Sequence, residues 1–196
     1  MFDQNFVFVG VLIGAIGSAS YAIGTIKGKI QPNKVSFALW SVAPLIAFFA
    51  EINQKVGIQS LLTLSVGVFP LIIFLSSFVN KKAYWKISKF DLSCGALSLV
   101  GLFLWYTTRV GDWAIFFSLL ADGFACIPTL RKAYKFPESE SAIPWLADSS
   151  NGLCTLLTIK TWNFAVVGFP AYIFIINFIL FIFVQFKVGK RAKKNQ

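Results

Sequence analysis

The segment IGTIKGKIQPNKVSFALW, Ile23–Trp40, is echoed in the second half of the chain by IPTLRKAYKFPESESAIPW, Ile127–Trp145. Ile23, Thr25, Lys27, Pro32, Ser36 and Trp40 find counterparts in Ile127, Thr129, Arg131, Pro137, Ser141 and Trp145, with one residue inserted in the second copy. The matches include polar and proline positions in order, which two stretches alike only in apolar composition would not share. Each copy reads as the end of an apolar run, a basic loop holding a proline, and the start of another run near a tryptophan. Further on, VGVFPLIIF (Val66–Phe74) parallels VVGFPAYIF (Val166–Phe174) and sets Pro70 opposite Pro170. A repeat of this kind constrains the architecture before any single residue does.

Outward from these segments, apolar runs cover 5–26, 35–51, 57–79, 91–108, 112–130, 143–160 and 163–186. Of the 196 residues 57% are hydrophobic and 13% charged, about half the charge of a soluble domain. Seven spans of about 20 residues would use most of the chain and leave no room for a soluble domain. The first run carries Asp3 where a signal peptide has a positive region, so it counts as a span.

The cations are distributed unevenly between alternate loops. Lys27, Lys29 and Lys34, then Lys81, Lys82, Lys86 and Lys89, then Arg131, Lys132 and Lys135 share one side. With the tail's Lys187, Lys190, Arg191, Lys193 and Lys194 they number fifteen, against three (Lys55, Arg109 and Lys160) on the other. That bias predicts an integral membrane protein, of a bacterial inner (plasma) membrane, with its N-terminus outside and its C-terminus cytoplasmic. Three helices per repeat is an odd number, so one extra span is needed for both copies to keep the same orientation. The expected fold is all-α: seven transmembrane helices as two parallel three-helix bundles joined by a linker helix. The first bundle covers 1–80, the linker 81–110, the second bundle 111–187 and a basic cytoplasmic tail 188–196.

The net charge of +10 would suggest nucleic acid in a soluble protein. Here the cations flank apolar runs and read as topology signals beside phospholipid, so the bilayer is the expected partner and nucleic acid is not. There is no histidine, which removes the commonest general base and metal ligand. Cys94, Cys126 and Cys154 are odd in number, lie in apolar runs and lack CxxC spacing, supporting neither a disulfide nor a metal site. No enzyme activity, metal or cofactor is expected.

With its 3+1+3 layout, outside N-terminus and length, the chain resembles the SWEET and PQ-loop superfamily of small membrane transporters. IPTLRK, around Pro128 and Thr129, looks like the proline-plus-polar step after which PQ-loop proteins are named, and KIQPNKVSFALW is similar to the loop and second-helix start of bacterial members. The first copy has Gly24 where the second has Pro128, and neither copy has Gln after the step. The resemblance implies a carrier that rocks two bundles about a central site. A proline inside a membrane helix removes a backbone donor and kinks the helix. Pro70, Pro170, Pro128 and Gly24 are therefore the candidate hinges.

Ionisable groups at depth are costly and mark function by default. Asp122 falls near the middle of the fifth run and Asp148 inside the sixth. Trp145, Asp148 and Asn151 are three apart and share a helical face, while Asn177 sits mid-span in the seventh run. The first-copy positions aligned with Asp122 and Asp148 are Ser18 and Ala43, so the expected cavity is asymmetric. The second bundle gives charge and hydrogen bonds; the first gives Tyr21, Trp40, Ser18 and Ser41. Gly10, Gly14 and Ser18 recur every four residues as a small-residue packing face. The expected function is transport of a small polar solute, a sugar or an amino acid, by alternating access, with Asp148 or Asp122 available to carry a coupled proton. The alternative is a seven-helix receptor that binds a ligand without moving it. Homo-oligomerisation is left open.

Overall fold

The computed structural model describes residues 3, 5–53, 60–108, 111–160, 162 and 164–194, and among them the chain is helical with no strand. The helices are α1 (Phe6–Ile26), α2 (Lys34–Asn53), α3 (Ser60–Ser76), α4 (Lys89–Thr108), α5 (Gly111–Lys135), α6 (Ala142–Thr158), α7 (Phe164–Gln185) and α8 (Val188–Lys194). Single 3₁₀ turns occupy Lys81–Ala83 and Pro137–Ser139. Each of the seven apolar runs coincides with one of α1–α7. The start of the third run, with Lys55 and Arg109, lies outside the described residues. The basic segment after α7 turns at Lys187, which has a positive φ of 50°, and forms α8.

Three segments are long and apolar enough to cross a membrane by themselves, Phe6–Ile26, Lys89–Thr108 and Val167–Gln185. Leu64–Ser76 is apolar but shorter. The polar content of the other helices has a local cause. Helix α5 carries Asp122 at depth and a basic last turn, and α6 is a 17-residue helix holding Asp148 and Asn151.

Helix ends are set by local chemistry. Gly28, at φ +72°, closes α1 in a Schellman turn: its N–H donates to Thr25 O at 2.9 Å and the Lys29 N–H to Gly24 O at 2.9 Å. A reciprocal box starts α4, where Asp91 Oδ2 accepts from Ser88 N at 2.7 Å while Ser88 Oγ accepts from Asp91 N at 3.2 Å. Asp91 Oδ1 also accepts from Asn33 Nδ2 at 3.2 Å, tying α4 to the loop before α2.

Helix α3 packs against α1 and α2, and α7 packs against α5 and α6. Across these groups α1 lies on α6 and α2 on α5, while α4 packs on α5 and α2. The α1–α6 approach rests on missing side chains: a Cβ at Gly17 would lie 2.5 Å from Ala147 Cβ and 3.2 Å from Pro144 Cα. Where apolar surroundings give helices little hydrophobic drive to associate, such close backbone contact is what holds them.

The basic segments gather at one end. Lys34 Nζ sits 3.9 Å from the Phe78 ring centroid, the Arg131 guanidinium 4.6 Å from that of Phe90, and Lys190 pairs with Glu138 at 2.9 Å. Just inside that end Tyr21, Phe37, Trp40 and Trp145 form an aromatic cluster with centroids 5.2–6.3 Å apart, where both halves meet.

Candidate binding cavity

Two adjoining lobes lie between the helix groups. The larger, of about 250 Å³, is bounded by Leu39, Trp40, Pro44, Ser118, Thr155 and Pro170 among others. The smaller, of about 80 Å³, lies nearer the basic end and is lined by Ser18, Phe37, Pro70, Trp145, Asp148 and Asn177. Trp40, Val66, Asp122, Asn151 and Ile173 border both.

The periodicity of α6 brings Asp148 and Asn151 to the wall together, as their spacing predicts. Glycines of α1 make room for them. A Cβ on Gly14 would stand 3.6 Å from both Asn151 Nδ2 and Asp148 Oδ1, and one on Gly10 would collide with Asn151 Oδ1. Asn177 faces the same space from α7 and donates to the Ile173 carbonyl at 2.9 Å. Asp122 Oδ2 accepts from Tyr172 OH at 2.7 Å. The buried Asn151 Oδ1 and Trp145 Nε1 have no hydrogen-bond partner, and among the described residues none is found for the Asp148 carboxylate.

The basic end of the smaller lobe is closed by a network joining both halves. Lys132 Nζ contacts Glu140 Oε1 at 2.6 Å with both side chains fully shielded, and it also donates to the Gln31 carbonyl. Tyr21 OH donates to Glu140 Oε2 at 2.7 Å, and Gln31 N–H donates to Ser139 O at 3.0 Å. Above this layer Ser36 Oγ donates to the Ala125 carbonyl at 2.6 Å and accepts from Thr129 Oγ1 at 3.0 Å. Those bonds fall in the turn around Pro128, where the helix lacks a backbone donor, so the proline step of α5 is pinned to α2.

Of the predicted site residues, Trp40, Trp145, Asp148, Asn151, Asn177 and Asp122 border the lobes. Tyr21 does not: it packs behind Trp145 and spends its hydroxyl on Glu140. Ser41 bonds to its own helix at Ala38 O. Pro70 and Pro170 border the cavity and Pro128 lies within α5. Gly24 packs against Ile30, since a Cβ there would lie 2.5 Å from Ile30 Cδ1. The sequence reading missed Tyr172, Asp91 and Glu140, and took Lys132 only as a topology signal. The one sequence hint was an acidic patch, Glu138 and Glu140, in an otherwise basic loop.

Outside the spans, Lys190 hydrogen-bonds to Glu138 and holds its carboxyl below the usual carboxylate range. Among the described residues no three His, Cys, Asp or Glu side chains converge as metal ligands. The cavity offers acceptors and aromatic faces, suited to binding a ligand. The chain matches no family model, no curated protein and no solved structure.

Proposed function

We propose that the chain is a membrane carrier that moves a small polar solute, of the size of a sugar or an amino acid, by alternating access. In this reading α1–α3 and α5–α7 are two three-helix bundles in parallel orientation, α4 is the linker, and the basic end faces the cytoplasm, as in SWEET and PQ-loop transporters. The observation that carries the proposal is the cavity between the two groups, whose mainly apolar wall carries Asp148, Asn151, Asp122 and Asn177, with hydrogen bonds crossing from one group to the other behind its basic end. The packing order supports it, because the third helix of each group is the central one and α1 meets α6 as α2 meets α5. Pro44, Pro70, Pro128 and Pro170 lie inside α2, α3, α5 and α7 and give the helices points at which to bend. Asp148 and Asp122 are the groups available to bind a coupled proton.

Uptake of labelled sugars and amino acids into proteoliposomes at two pH values tests this. Flux that changes with pH, and loses that dependence in Asp148→Asn, supports a proton-coupled carrier. Unchanged flux and pH profile in Asp148→Asn would sink the coupling. Binding without flux would replace the carrier with a receptor.

A further inference from the structure

The charged groups facing the two lobes are all of one sign. Among the described residues no partner is found for the Asp148 carboxylate, Asn151 Oδ1 is buried without a donor, and Asp122 accepts from the Tyr172 hydroxyl. All three offer lone pairs. Against them stand the indole N–H groups of Trp40 and Trp145, both buried without an acceptor, and among the described residues no Lys or Arg borders either lobe. The lobes thus hold two carboxylates, lone pairs to spare, and the indole faces of Trp40 and Trp145.

A neutral sugar would leave the Asp148 carboxylate uncompensated unless a proton came with it, because an unpaired buried charge is a costly state. A zwitterionic amino acid would bring its own carboxylate against Asp148 and Asp122 with no cation to receive it. A cation without an acidic group answers both conditions: it neutralises the carboxylate and is attracted to the indole faces. From this geometry we infer that the cavity selects an organic cation, an amine or quaternary ammonium, seated between Asp148 and the Trp40–Trp145 pair. The inference rests on the carrier reading for the role of the cavity and narrows its solute class.

Choline and its neutral isostere 3,3-dimethylbutan-1-ol separate charge from shape, and choline stays charged at every pH. Equilibrium binding to the full chain in nanodiscs would use labelled choline, with ethanolamine, agmatine and tyramine as competitors and glucose as the neutral control. The expected result is saturable binding of at least one cation, with affinity at least about tenfold above its neutral counterpart, equivalent to ~1.4 kcal/mol. Asp148→Asn should lower cation affinity by about tenfold or more while its thermal unfolding stays near wild type. If Asp148→Asn does not fold, the wild-type comparison alone decides. Equal binding by 3,3-dimethylbutan-1-ol, tighter binding by glucose, or no binding by any of the four cations at about 10 mM overturns the inference. Cation binding without flux into proteoliposomes would overturn the carrier reading and leave the cation site standing. Flux of a sugar without cation binding would do the reverse.

Discussion

Lys132 and Glu140 lie 2.6 Å apart with neither side chain open to solvent, and Tyr21 from the other half of the molecule completes the carboxylate's second oxygen. Removing one charge strands the other in a desolvated position, whereas removing both does not. Glu140→Gln and Lys132→Met are each expected to cost about 3–5 kcal/mol. The double variant Lys132→Met/Glu140→Gln should cost markedly less than their sum. Thermal or denaturant unfolding in one detergent, arranged as a double-mutant cycle, measures the coupling. Additive losses would mean that the two charges do not sense each other.

The same carboxylate bridges the halves, so weakening it should open the basic end. Cys126 borders the smaller lobe and is buried, which makes it a reporter once Cys94 and Cys154 are replaced by Ala. Tyr21→Phe deletes the 2.7 Å bond to Glu140, and loss of about 1.5 kcal/mol would raise the open population by about tenfold. The rate at which a small charged methanethiosulfonate labels Cys126 should rise accordingly. An unchanged rate would make the contact static packing.

The α1–α6 seam makes a sharper test. An alanine at position 17 has no space, with Ala147 Cβ at 2.5 Å and the Pro144 backbone behind it, while at Gly123 the nearest obstacle is Tyr172 OH at 3.8 Å. Gly17→Ala should therefore destabilise by about 1–3 kcal/mol through overpacking. Gly123→Ala should be neutral or slightly stabilising through helix propensity. Equal melting temperatures for the two variants would contradict the observed helix approach.

The docking of α8 has a pH-dependent and a pH-independent part. Lys190 depresses the Glu138 carboxyl, so its contribution is present above the ordinary carboxylate value and is lost as pH falls through the lowered one. The pair is exposed and salt-screened, so that contribution is small. The pH-independent part comes from Gly189, which abuts the Tyr134 backbone. A nitroxide at position 192 should gain mobility only modestly from pH 7 to pH 3 in wild type. Gly189→Val should free it at both pH values. Glu138→Gln at pH 7 should match wild type at acid pH, and a full wild-type mobility change between the two pH values would mean that the ion pair alone holds the helix.

The helices and the cavity wall were legible because they follow from period and polarity. Trp145, Asp148 and Asn151 share a face by spacing alone, and Asp122 and Asn177 stand out as polar residues in apolar runs. The closing network was not legible. A lysine just past an apolar run reads as a topology signal and a glutamate in a loop reads as solvated; only the docking of residues 119 apart, Tyr21 and Glu140, buries them. Tyr21 was expected to be among the first bundle's contributions to the cavity. Its neighbour across the interface decides otherwise, and that neighbour cannot be read from local sequence.

The network is also unequal between the two similar sequence segments. The residues aligned with Lys132 and Glu140 in the first copy are Gly28 and Val35, and the one aligned with Tyr21 in the second is Ala125. Two first halves brought together would have the phenol without the ion pair; two second halves would have the ion pair without the phenol. In the two-bundle reading proposed above, the halves are complementary parts: each brings to this network what the other lacks.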